Sequence, residues 1–232
     1  MTRVTDTRTW SSHDWQLSST SQLRMTGLVG LLGALIVTGS QILSQLPSHA
    51  WITKAEAYLI AAMAAPLCIV GYVHVFLAMR PAEAWQRLVV LISGGYAFAL
   101  GAQWLGSRFY SELIADAFSY SSAPAEATIA NLLVIVASEN EPLLWAHEVG
   151  IAVSSTVLTL AVLRGRTLYP KWFAACSPIT LLAAAMAVGS YIPVSGKYLA
   201  PAAMSGAHAL FFGFATLSIK SRASARPTPQ RI

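Results

Sequence analysis

Six apolar stretches, at residues 25–46, 57–79, 88–106, 143–163, 172–192 and 199–219, dominate this chain. Each holds about 19 to 23 residues, and about 20 residues of helix cross the ~30 Å hydrocarbon layer of a bilayer. In lipid every backbone N–H and C=O must be satisfied within its own segment, so the stretches are expected to be helices. Their Leu, Ala, Gly and Met content, without strict alternation, argues against a β-barrel. The fold class this predicts is all-α, a polytopic membrane helix bundle with six transmembrane helices. Charged residues make up only 11% of the chain, against about 25% in soluble domains. That excludes an ordinary water-soluble enzyme and a disordered chain.

The charges set the threading. With six spans and the N-terminus inside, the inner segments carry Arg3, Arg8, Arg24, Arg80, Arg87, Arg164, Arg166, Lys171, Lys220, Arg222, Arg226 and Arg231. The outer segments carry Lys54, Arg108 and Lys197, so the bias is twelve to three. Basic residues favour the cytoplasmic side, which puts both termini there, with the chain in a bacterial cytoplasmic (inner) membrane. Acids run the other way: only Asp6, Asp14 and Glu83 fall inside. The net charge of +5 is accounted for by this asymmetry, and no nucleic-acid partner is expected. Residues 1–24 read as a polar cytoplasmic leader, 25–219 as the membrane domain, and 220–232 as a disordered basic tail. Residues 48–50 imitate a signal-peptide cleavage site, but the long leader and full-length first span favour retention.

Gly27, Gly30, Gly33 and Ala34, then Gly94, Gly95 and Gly101, then Gly206 and Gly213, predict close helix approach. Cys68 and Cys176 lie in apolar stretches without Cys or His at ligand spacing, so neither metal nor other cofactor is expected. His74, His147 and His208 fall at different depths in their spans, so a haem-ligating pair is not evident and structural roles are expected.

Candidate chemistry gathers in the outer half. The connection 107–142 is long for a compact bundle. Its start continues the third helix, placing Arg108, Glu112 and Asp116 on one face with Arg108 in reach of Glu112. A break follows at 121–124. Residues 127–137 are apolar but too short to span, which predicts an interfacial or re-entrant segment, a lid or a plain connector. Glu141, Trp145 and Glu148 then share a helical face. Were that helix to begin near Asn140, Glu148 would lie about 12 Å along it, below the headgroups. A carboxylate there should face the interior with a partner, or take up a proton and become a candidate acid. Equally, Ser138 and Glu141 have capping-box spacing, and Glu141 would then only start a helix. Tyr96, Gln103 and Tyr110 continue one face of the third span, with Trp104 beside them. Trp145, Tyr191 and Tyr198 reach the same level, as do Gln41 and Ser44.

Residues 163–172, with Arg164, Gly165, Arg166, Tyr169, Pro170, Lys171 and Trp172, resemble a recurring feature of an uncharacterised bacterial family of six-span integral membrane proteins. The glycine-rich first span and residues 202–212, with Met204, Ser205, Gly206, His208 and Phe211, fit that resemblance. It implies the fold and no reaction. Members often carry an acid near the end of the first span, where this chain has Gln41. In architecture alone the chain is also similar to the integral-membrane terpene cyclases. That analogy implies acid-initiated cyclisation of a prenyl or meroterpenoid substrate by a metal-independent isomerase.

On that reading Glu148 is the proton donor and Glu141 or Asp116 the second acid or base. Tyr96, Gln103, Trp104, Arg108, Tyr110, Glu112, Trp145, His147, Tyr191 and His208 would line the substrate cavity, with aromatic faces stabilising cations. Membrane lipids and a hydrophobic prenylated small molecule are the expected partners. The alternative is a non-enzymatic lipid- or quinone-binding protein or complex subunit. A haem-binding redox protein stands behind it.

Overall fold

The computed structural model describes residues 20–46, 52–118, 123–191 and 200–224. The expectations for residues 1–19, residues 48–50, Lys197, Tyr198 and residues 225–232 lie outside these. Six α-helices are described: α1 (Thr20–Leu43), α2 (Lys54–Ala78), α3 (Ala84–Phe118), α4 (Ala123–Leu163), α5 (Pro178–Tyr191) and α6 (Ala203–Ser224). Short 3-10 turns, Lys171–Cys176 and Ala200–Ala202, precede α5 and α6. No strand occurs among the described residues. Helices α1 to α4 are long and apolar enough to cross a membrane, while α5 and α6 hold shorter apolar segments.

Consecutive helices pack as neighbours from α1 through α4; α6 lies against α1, and α5 against α6. The glycines explain how tightly. A Cβ at Gly30 would stand 2.4 Å from the Gly71 Cα, so α1 and α2 meet backbone to backbone. Without water to drive apolar surfaces together, such close contact is the main cohesive force between spans. On α3, a Cβ at Gly94 would lie 2.1 Å from the Tyr72 ring, which occupies the space a side chain would need.

Helix α2 begins with a capping box. The Thr53 hydroxyl accepts from the Glu56 amide at 3.1 Å, and the Thr53 amide donates to the Glu56 carboxylate at 2.7 Å. The box expected at Ser138 and Glu141 is absent, because no helix starts there: the Ser138 hydroxyl donates to the Ile135 carbonyl inside α4. Residues 127–137 are likewise no separate interfacial segment. They form the first part of a 41-residue α4 that runs through Pro142 without interruption. The third helix does continue past the expected span, to Phe118. At about 1.5 Å per residue, α3 and α4 are roughly 50 and 60 Å long, and together they form a hairpin much taller than a hydrocarbon layer.

The segment after α4 closes the opposite end of the bundle. Gly165, with φ of 68°, terminates α4. Its amide bonds to the Val162 carbonyl and the Arg166 amide to the Ala161 carbonyl, the Schellman pattern that favours glycine. The Leu168 amide then bonds to the Ala78 carbonyl at the end of α2. Tyr169 and Phe173 stack at 4.2 Å between ring centroids, and Phe173 meets Phe211 at 5.6 Å. Thr167, Tyr169 and Phe173 are buried and plug this end of the bundle, while residues 163–166, Lys171 and Trp172 stay exposed.

Candidate functional site

Helix phase decides which of the candidate side chains meet. On α4, His147, Ile151, Ser154 and Leu158 point inward and are buried. Glu148, one residue and about 100° further round, therefore points outward. Glu141, Trp145 and Glu148 do share a face, and the Trp145 Nε1–H donates to a Glu141 carboxylate oxygen at 3.4 Å. That face is exposed: Trp145 is 61% accessible, and Glu141 and Glu148 are exposed beside it. Glu148 is expected to face the interior with a partner or to take up a proton; it faces outward, with no hydrogen bond or ion pair among the described residues.

The remaining candidates are spread over separate surfaces. Asp116, Tyr96, Gln103, Tyr110 and Tyr191 are exposed, whereas Trp104, Arg108 and Glu112 are half-buried. Arg108 does not pair with Glu112. Its guanidinium lies instead 5.8 Å over the Tyr58 ring of α2. Gln41 ties α1 to α6 by accepting from the Ser205 hydroxyl at 2.7 Å. Among the described residues, the expected convergence of acids, indoles and phenols in one cavity is not formed.

A different polar group occupies the core. His147 on α4 and His208 on α6 both pack edge-on against Phe98, at 5.8 and 4.8 Å between ring centroids. They share one layer of the bundle, correcting the different depths expected from span boundaries. The Nδ1–H of His147 donates to the Ala97 carbonyl at 2.7 Å, and that of His208 to the Met204 carbonyl at 2.8 Å. This leaves the His208 Nε2 lone pair to accept from the Tyr72 hydroxyl at 3.2 Å. The Tyr72 oxygen also lies 3.4 Å from Ser154 Oγ, while Ser154 donates to the Ile151 carbonyl. Tyr72, Ser154 and His208 are each at most 1% accessible. Ser155, buried next to them in sequence, has no hydrogen-bond partner among the described residues.

This layer joins α2, α3, α4 and α6, and its polar side chains are buried. It can fix rotation and register of four helices. Phe98 fills the space between the two imidazoles, where a porphyrin would have to lie, so the layer offers no haem-ligating pair. No group of three or more His, Cys, Asp or Glu with metal-binding geometry occurs among the described residues. His74 sits apart, its Nδ1–H donating to the Leu23 carbonyl at 2.6 Å beside the Tyr169 plug. The polar interruptions at Tyr72, Ser154 and His208 within apolar runs were the sequence signal for this layer.

An open groove runs along the outer face of α3, lined by Trp85, Leu88, Val89, Ile92, Ser93 and Tyr96, with a volume of about 370 Å³. These positions follow helical spacing over about 16 Å. Its walls are apolar. None of Glu141, Glu148 and Asp116 lines it. At one mouth, the Trp85 Nε1–H donates to Glu83 at 2.7 Å. Glu83 also forms an ion pair with Arg166 from the plug segment. Both interactions favour the charged carboxylate and hold the Glu83 carboxyl below its ordinary range, the bond to Trp85 contributing most.

Comparison with protein-family descriptions, with curated proteins and with solved structures finds no match to this chain.

Proposed function

We propose that this chain is a non-enzymatic membrane protein that holds an isoprenoid or acyl chain, of the kind carried by a lipid or quinone, along α3. The observation that carries this reading is the shallow, open groove between Trp85 and Tyr96: lined by apolar residues apart from Ser93, and free of the candidate acids. Protonation of an alkene needs an acid aimed into the cavity that holds it. Glu148 is aimed elsewhere, which argues against the cyclase reading. Six crossings, with both termini on the cytoplasmic side of a bacterial inner membrane, belong to the same proposal and rest on the twelve-to-three charge bias.

The test is photo-crosslinking of the detergent-purified full chain with a photoactivatable farnesyl probe, mapped by mass spectrometry. Label is expected on residues 85–96, and Ile92→Trp, which fills the groove, should abolish it. Label distributed evenly over the exposed helices, or unchanged in Ile92→Trp, would overturn the proposal. In a parallel arm the protein is incubated in D2O with linear prenylated indoles, quinols and their epoxides. A cyclised product, lost in Glu148→Gln, would replace this reading with the cyclase.

A further inference from the structure

The groove on α3 opens, at its Trp85 end, onto the basic end of the bundle, and one carboxylate builds that mouth. One oxygen of Glu83 accepts from the Trp85 indole N–H at 2.7 Å, the other from the Arg166 guanidinium. The segment after α4 is thereby tied to the first turn of α3 at the point where the groove begins. Arg166 reaches Glu83 through Nη1 alone, and its side chain is 44% accessible. Other N–H donors of its fork remain uncommitted among the described residues. Arg164, across the Gly165 turn, is exposed and near enough for its charge to act on Glu83. It has no ion pair of its own among the described residues. Two guanidiniums against one carboxylate leave one positive charge in surplus at the mouth. The groove beyond it carries no charge, and the hydroxyl of Ser93 is spent on the Val89 carbonyl.

From this juxtaposition we infer that the groove's occupant is a membrane lipid with a phosphate-ester headgroup. The phosphate meets Arg164 and Arg166, and the chain runs from Trp85 toward Tyr96. This rests on the chain-binding reading above and adds to it a headgroup and a direction. Guanidinium forks match phosphate oxygens in pairs, whereas a neutral quinone ring draws little from a surplus charge. Head and tail sites adjoin, because the indole that Glu83 holds is also the first residue of the apolar path. Trp85, Leu88 and Ile92 are 55%, 47% and 64% accessible along that path. An indole at its start suits the headgroup level of a membrane. A soluble anion would use the arginines and leave the path empty. Glu83 opposes the phosphate by charge and competes with it for Arg166, which sets the sign of one prediction below.

Native mass spectrometry of the delipidated full chain in detergent tests this, by titration with farnesyl phosphate, with farnesol of identical chain, and with sodium phosphate. Wild type is expected to bind farnesyl phosphate about fivefold more tightly than farnesol, the effect of one basic contact. Arg164→Gln, at an exposed position, should bring farnesyl phosphate down to the level of farnesol and leave farnesol unchanged. Arg24→Gln, a loss of the same charge on α1, should keep the preference. Glu83→Gln frees Arg166 and should tighten farnesyl phosphate, whereas a purely structural Glu83 would loosen it or leave it unmoved. Ile92→Trp should weaken both ligands. Equal affinity for the two, with both lost in Ile92→Trp, would overturn the headgroup inference and leave the groove standing. A preference undiminished in Arg164→Gln would overturn it as well. Binding of either ligand that ignores Ile92→Trp would instead strike the groove, and this inference with it. Sodium phosphate displacing farnesyl phosphate at equal concentration would assign the arginines to a soluble anion and overturn the inference too.

Discussion

At Gly94 a single hydrogen in place of a methyl group decides whether the Tyr72 ring can sit where it does. Gly94→Ala should push that ring away from His208 and Ser154 and destabilise the protein by about 1–3 kcal/mol, the usual penalty of overpacking. Tyr72→Phe keeps the ring and loses only the hydroxyl, so about 0.6–1.5 kcal/mol is expected, as for other hydrogen bonds between spans. Thermal unfolding in detergent ranks the two, and a Gly94→Ala variant as stable as wild type would contradict the packing described. His208 is legible in the sequence as a polar residue at mid-span. Its bond to Tyr72 is not, because a contact spanning 136 positions depends on how two helices rotate. Glu148 shows the same limit. Its shared face with Trp145 follows from spacing, but spacing does not say whether that face turns in or out.

The elements were more legible than their ends. Apolar composition marks the membrane-crossing parts of α1 to α4, yet α4 continues far beyond its apolar core, because helical hydrogen bonding needs no apolar side chains. Polar residues from Ser138 to Glu141, followed by Pro142, suggest a boundary. Within the helix, the Asn140 amide group donates to the Val136 carbonyl at 2.6 Å and the Ser138 hydroxyl to the Ile135 carbonyl. Pro142 removes one backbone bond without breaking the run. Spin labels at Ala127 and Leu163 should therefore report a separation of about 54 Å by pulsed electron resonance. A much shorter distance would restore the folded-over interfacial segment. The two connections at the basic end make their own prediction. Glu83, whose carboxyl is held low by Trp85 and Arg166, stabilises the fold above the pKa it has when unfolded. That contribution fades as acid takes the pH down through the lower, folded value. The stability difference between wild type and Glu83→Gln should accordingly be present at pH 7 and vanish in acid, as melting curves across pH would show.

For the whole molecule, the charge asymmetry predicts sidedness. A cysteine placed at Glu83 should react with an impermeant maleimide only from the cytoplasmic face of sealed membranes, and one at Asp116 only from the opposite face. Labelling of both from one side would refute the threading. The order of helices in the bundle was not legible, apart from the tendency of sequential spans to pack together. The place of α6 against α1 depends on small-residue surfaces and on the Gln41 to Ser205 bond, which appear only once the helices are assembled.

The length of α4 has a mechanical meaning. At Gly150 α4 comes close to α3, where a Cβ would stand 2.9 Å from the Ser93 carbonyl oxygen. About 40 Å of continuous helix lies on the hairpin-tip side of that point and about 20 Å on the plug side. Were α4 to tilt as a rigid rod about that contact, a tip displacement of roughly 2 Å would move Leu163 by roughly 1 Å the other way. Such a tilt would carry a displacement at the tip to the segment that holds the Tyr169 and Phe173 stack, at the opposite end of the helix.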